Sequence, residues 1–161
     1  MQNLQPEKTR QEQFLILDRR YGSSHALAST WTFFHVVRNG HYWLIVVWNV
    51  NKGNITISNY DSMHFENMTD IKIVEEYVLH TAQRLGQEHT IHITILPHAP
   101  SNMIKQADGC SCGVYCAMIA DCLTSNINIQ LLTPTSIIGD RQRMVQNILG
   151  QTAPRLISAH A

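Results

Sequence analysis

The chain has 161 residues, 44% of them apolar and 15% charged, which suits one compact domain and excludes a disordered chain. Lys plus Arg equals Asp plus Glu at 12 each, so no basic footprint for a nucleic acid is present. No apolar run reaches the ~20 residues of a membrane span, and the polar MQNLQPEKTRQEQ opening lacks a signal-peptide layout. The expectation is an intracellular domain, cytoplasmic or nuclear.

In chain order, residues 6–20 are predicted as a helix, with Pro6 in its first turn and Tyr21-Gly22-Ser23-Ser24 as its break. Thr30 to Val37 is aromatic and β-branched and reads as a strand. Asn39-Gly40 is a tight-turn signal, and His41 to Trp48 follows as a nearly continuous apolar run, the mark of a strand buried on both faces. Asn51 to Asn54 turns the chain into a third strand, Ile55 to Tyr60. Ile71, Val74, Tyr77, Val78 and Leu85 recur at helical spacing, with Thr69 as cap and Gly86 as stop. Thr90 to Leu96 alternates as a strand. Gly113 to Leu123 reads as an apolar helix, and Pro134 opens a last helix ending at Gly150. Mixed elements with three early strands in meander order give the α+β class, a central mixed or antiparallel sheet flanked by helices. One domain is expected over 1–161, with 1–29 as an N-terminal helix and extension and 30–150 as the core.

All four cysteines, Cys110, Cys112, Cys116 and Cys122, fall within thirteen residues. A disulfide framework spreads its cysteines to staple distant segments, so a reducing compartment is expected. Their spacing is not the paired C-x2-C zinc signature, and no metal or other cofactor is expected.

The segment K-Q-A-D-G-C-S-C-G-V-Y-C-A-M at 105–118 is the most specific in the chain. It delivers Cys112 where a helix starts. A thiol at a helix N-terminus is favoured as thiolate, and a neighbouring backbone N–H can receive an oxyanion. Gln106, six residues earlier, offers a side-chain amide as a second donor. The plain alternative is that Cys112 is a buried small residue, as free cysteines usually are. The other three cysteines are assigned to packing, as are Tyr115 and Met118.

A cysteine nucleophile needs a base, and nine histidines compete. His41 differs from the rest because it follows Asn-Gly at the start of the most apolar strand, where a side chain stands at a sheet end. Asp61 ends the partner strand. Hairpin register decides whether the two meet. A tight loop at Lys52-Gly53 with a straight ladder puts them on opposite faces. A three- or five-residue loop centred on Asn51 makes them face directly, and that longer loop is the expectation.

The order His41, Asp61, Gln106, Cys112, within H-Y-W-L, Y-D-S and Q-A-D-G-C-S-C-G-V-Y, resembles the SUMO/sentrin-specific and deneddylase cysteine proteases. They share a clan with the adenovirus maturation proteinase. Their pattern is H-W-x-L, an Asp ending the next strand, then Q-x-x-G-x-[DS]-C-G, and the match covers about residues 30–150. The resemblance implies a papain-like architecture with Cys112 as nucleophile, His41 as general base and Asp61 orienting the imidazole. Gln106 and the Cys112 N–H would form the oxyanion hole. It also implies hydrolysis of peptide or isopeptide bonds after the Gly-rich C-terminus of a ubiquitin-like modifier. Tyr42 or Trp43 would then wall a glycine-selective tunnel, unless packed in the core, with Gly113 on the substrate side.

Three features depart from the family pattern. Tyr42 stands where Trp is usual, Ser111 stands where many members have Asp, and forty residues precede His41. The short front resembles the viral maturation proteinases, whose substrates are Gly-containing motifs in structural proteins. An acyltransferase of the same clan is disfavoured by Asp61, where such members commonly carry Glu. A non-catalytic modifier-binding module is the alternative from another class.

Overall fold

A computed structural model describes residues 9–22, 25–51 and 53–148. The expected roles of Pro6 and Gly150 fall outside these residues. Helices α1 (Arg10–Tyr21) and α2 (His25–Ala28) lead into strands β1 (Trp31–Arg38), β2 (His41–Asn51) and β3 (Asn54–Tyr60). Helix α3 (Met68–Arg84), strand β4 (His92–Leu96), helix α4 (Cys112–Thr124), a 3-10 turn (Ile129–Leu131) and helix α5 (Pro134–Ile148) follow. The sheet order is β1-β2-β3-β4, antiparallel except for the parallel β3–β4 pair, so the sheet is mixed and the fold is α+β.

Strand β2 organises the core. Its residues Trp43 to Val47 are all buried, because helices cover both faces of the sheet. Trp43, Ile45 and Val47 pack with Ile55 and Ile57 of β3 against Ile71, Val74, Tyr77 and Val78 of α3. Leu44 and Val46 face the other way, onto Tyr115, Met118 and Ile119 of α4. Helix α1 lies against the first cluster through Phe14 and Leu17. It is tied to α3 by Asp18, which accepts from the Tyr77 hydroxyl at 2.9 Å and from Arg84 at 2.7 Å. A capping box between Thr9 and Glu12 starts α1.

The cap of α3 differs from expectation. The helix starts at Met68 with Asn67, not Thr69, at its N-cap, and Asn67 makes no side-chain capping bond. Its amide is committed instead to Asp61 Oδ2 at 2.9 Å and Asn59 Oδ1 at 3.2 Å. The stop is as expected, with Gly86 in the left-handed region at φ 66°.

The β2–β3 register also differs. Asn51 pairs with Asn54 across a tight turn, of which Lys52 lies outside the described residues, rather than across the longer loop expected. A bulge between Asn49 and Asn51 then leaves Val50 as an extra residue, and every pair from Asn49–Ile55 to Leu44–Tyr60 is displaced by one step. Continued past Tyr60, this register sets Asp61 opposite Trp43. His41 and Asp61 therefore share a face, diagonal by two residues rather than directly opposed. Gly53 is required at this corner: its φ is 130°, and a Cβ there would lie 2.4 Å from the Thr90 carbonyl oxygen.

Candidate active site

The diagonal brings the two side chains together. His41 Nε2 lies 2.8 Å from Asp61 Oδ1. Asp61 is fully buried and accepts from the Met63 N–H at 2.7 Å and the Asn67 amide at 2.9 Å. The carboxylate accepts from the Met63 N–H and the Asn67 amide, so the hydrogen it shares with His41 belongs to Nε2. The ring is held in place as well as bonded. Trp43 stacks beneath it with centroids 5.5 Å apart, and Phe65 meets it edge-on at 6.0 Å. The side chain of His41 retains 23% exposure.

The loop after Asp61 is fixed by its own bonds. The His64 N–H bonds the Asp61 carbonyl at 2.9 Å, with His64 in the left-handed region at φ 62°. Buried Asn59 donates to the Phe65 carbonyl at 2.8 Å and the Pro97 carbonyl at 3.0 Å. Phe65 and Asn67 contact His41 and Asp61, Asn59 braces Phe65 and Asn67, and sequence reasoning missed all three.

Cys112 is the first residue of α4 and 4% exposed. It lines a cleft of roughly 550 Å3 together with Gly40 and Tyr42, the two residues that flank His41 in sequence. Gly113 lines the same cleft. Ser111 is the N-cap of α4 but gives no side-chain cap, so the first-turn N–H groups receive no bond from Ser111 Oγ. That hydroxyl is diverted to Asp108 Oδ2 at 2.5 Å and accepts from Arg141 at 2.7 Å.

Asp108 is the hub of the cysteine loop. Its Oδ1 accepts from the N–H groups of Cys110 at 2.8 Å and Ser111 at 2.7 Å. The Ser111 hydroxyl and the Cys110 N–H hold its carboxyl well below the usual carboxylate range. Gln106 is buried and anchored beside Asp61: Ser62 Oγ donates to its Oε1 at 2.7 Å, and its N–H bonds the Ser62 carbonyl at 2.8 Å. Its amide nitrogen donates to the Asp108 carbonyl at 2.5 Å and to Oδ1 at 3.2 Å, so the donor expected in an oxyanion hole is engaged within the loop. Nothing in the sequence signalled that the Asp108 carboxylate organises this loop.

The two aromatics of H-Y-W-L separate. Trp43 is buried in the core under His41, whereas Tyr42 is 37% exposed in the cleft and stacks on His35 at 5.3 Å. Of the remaining cysteines, Cys116 and Cys122 pack in the α4 core as expected. Burial, then the nearby Cys112 and Asp61, push the Cys116 thiol up to about 12, and burial pushes Cys122 up to about 11. Cys110 is exposed rather than packed, because the Asp108 turn directs it outward past Arg141. Among the described residues no group of three or more His, Cys, Asp or Glu is placed to hold a metal ion. No helix there is long and apolar enough to cross a membrane.

Comparison of the sequence with protein-family models gives no match, and comparison with curated proteins gives none.

Proposed function

We propose that this chain is a cysteine peptidase of the ubiquitin-like-protein protease type, acting on bonds that follow a Gly-rich C-terminus. One observation carries the reading. His41 is bonded to a buried aspartate, and its two sequence neighbours, Gly40 and Tyr42, line the same cleft as the helix-tip Cys112. In the proposed cycle the Cys112 sulfur attacks the carbonyl carbon, and the carbonyl π pair moves to oxygen. His41 Nδ1, carrying the proton taken from the thiol, protonates the leaving amine as the C–N bond breaks. Water then attacks the thioester, gives its proton to His41, and the carbon–sulfur bond breaks to free the acid. Asp61 stabilises the imidazolium throughout. The first-turn N–H groups of α4 receive the oxyanion, joined by Gln106 once an N–H turns from Asp108. Tyr42 and Gly113 border the path of the substrate, and Trp43 supports the imidazole from below. The partner is a ubiquitin-like modifier or its conjugate, in the cytoplasm or nucleus.

A panel of ubiquitin-like proteins carrying C-terminal electrophiles tests the substrate class, with Cys112→Ala as control. The expected result is covalent capture of one modifier at Cys112, read by intact mass. Capture of none, with cleavage of short Gly-containing peptides that Cys112→Ala abolishes, moves the assignment to the maturation-protease type. Binding of a modifier without capture or cleavage moves it to a non-catalytic module.

A further inference from the structure

The cleft beside Cys112 carries one formal charge among its described lining residues, the guanidinium of Arg141 on α5. Its observed partners are neutral: Ser111 Oγ at 2.7 Å and Cys110 Sγ at 3.8 Å. No carboxylate of the described residues lies within ion-pair distance of it, although Arg10, Arg38, Arg84 and Arg143 all have one. The nearby Asp108 is already occupied by the Ser111 hydroxyl and two loop N–H groups. An arginine has five N–H donors in a planar fork, and Ser111 uses a single nitrogen, so the fork remains able to take a carboxylate bidentately.

The surroundings favour the same ligand. Ile138 and Val145 lie three residues before and four after Arg141, on the same side of α5, and are 64% and 52% exposed. An exposed cation thus stands between two exposed apolar side chains, at the rim of a cleft that ends at the candidate nucleophile. We propose, resting on the peptidase reading, that Arg141 is a specificity-determining residue. It reads a carboxylate side chain on the substrate, close to the scissile bond and next to an apolar residue. The Ser111 bond holds the fork at a fixed distance from Cys112, so the carboxylate sets how the substrate backbone enters.

The test uses the full chain with Cys112→Ala, so that binding is read without turnover. Fluorescent Gly-Gly peptides are scanned with Glu against Gln at each position flanking the cleavage point. At one position the Glu peptide is expected to bind about tenfold tighter, and the difference should shrink as salt rises. Arg141→Gln should erase it, Arg141→Lys should keep part of it, and Arg141→Glu should turn the preference toward a Lys peptide. Inversion by Arg141→Glu separates charge reading from mere loss of the loop contact. Equal binding of Glu and Gln peptides at every position, or a preference unchanged in Arg141→Gln, overturns the proposal. Peptides that bind with the stated preference but are never cleaved by the native chain leave Arg141 as a carboxylate reader and remove the peptidase reading instead.

Discussion

Cys112 and Cys116 are four residues apart on one helix, yet their surroundings assign them opposite behaviour. Cys112 opens onto a cleft, whereas Cys116 and Cys122 lie in the α4 core with thiols raised to about 12 and about 11. At pH 8 iodoacetamide is therefore expected to leave Cys116 and Cys122 unmodified in the folded chain, as peptide mapping will report. In a Cys110→Ser background the label should fall on Cys112 alone. Asp108 gives a second test at this scale. Its folded carboxyl sits below the unfolded value of ~3.9, so the unfolded chain binds the proton first as pH falls. Its contribution is present in full above about pH 4 and is lost as pH drops through the lowered value. Urea midpoints should show native protein more stable than Asp108→Asn near pH 6, with the gap closing toward pH 2.

At the scale of elements, the hairpin of β2 and β3 decides whether the site exists. The Asn-Gly turn, the doubly buried β2 and the end of β3 just before Asp61 were legible because each is written in local residue types. The bulge at Val50 was not, since nothing in N-V-N-K-G-N distinguishes a bulged tight turn from a longer loop. What demands it is tertiary: the Thr90 carbonyl presses on Gly53, and the His92 N–H bonds the Gly53 carbonyl at 2.6 Å. Likewise the α3 cap was misread because Asn67 serves Asp61, a contact with no local sequence signature. Gly53→Ala adds both a forbidden φ and a backbone clash, and is expected to cost about 2 kcal/mol or more in urea unfolding. The α1–α3 tie separates two effects. Asp18→Ala strands the hydroxyl of fully buried Tyr77 and should cost about 1–3 kcal/mol. Arg84→Ala removes only a half-exposed ion pair and should cost under about 1 kcal/mol, measured the same way.

Across the whole molecule, the sheet separates the candidate machinery into two supports. Trp43 and α3 hold the imidazole–carboxylate pair from one face, and α4 carries the sulfur from the other. The Ser62–Gln106 bonds join the two halves, fixing the cysteine loop to the residue next to Asp61. The order of polar residues along the chain could be read from sequence, but Asp108 and Arg141 could not. Their roles depend on a loop folding back on itself and on α5 arriving from thirty residues away. The proposed peptidase activity requires His41 to activate Cys112. The direct measurement is the rate at which a small Gly-based electrophile captures Cys112, in native protein, His41→Ala and Asp61→Asn, with circular dichroism showing that each is folded. The expected result is a fall of about 10²-fold or more for His41→Ala and a smaller fall for Asp61→Asn. Equal rates in all three folded proteins would contradict it.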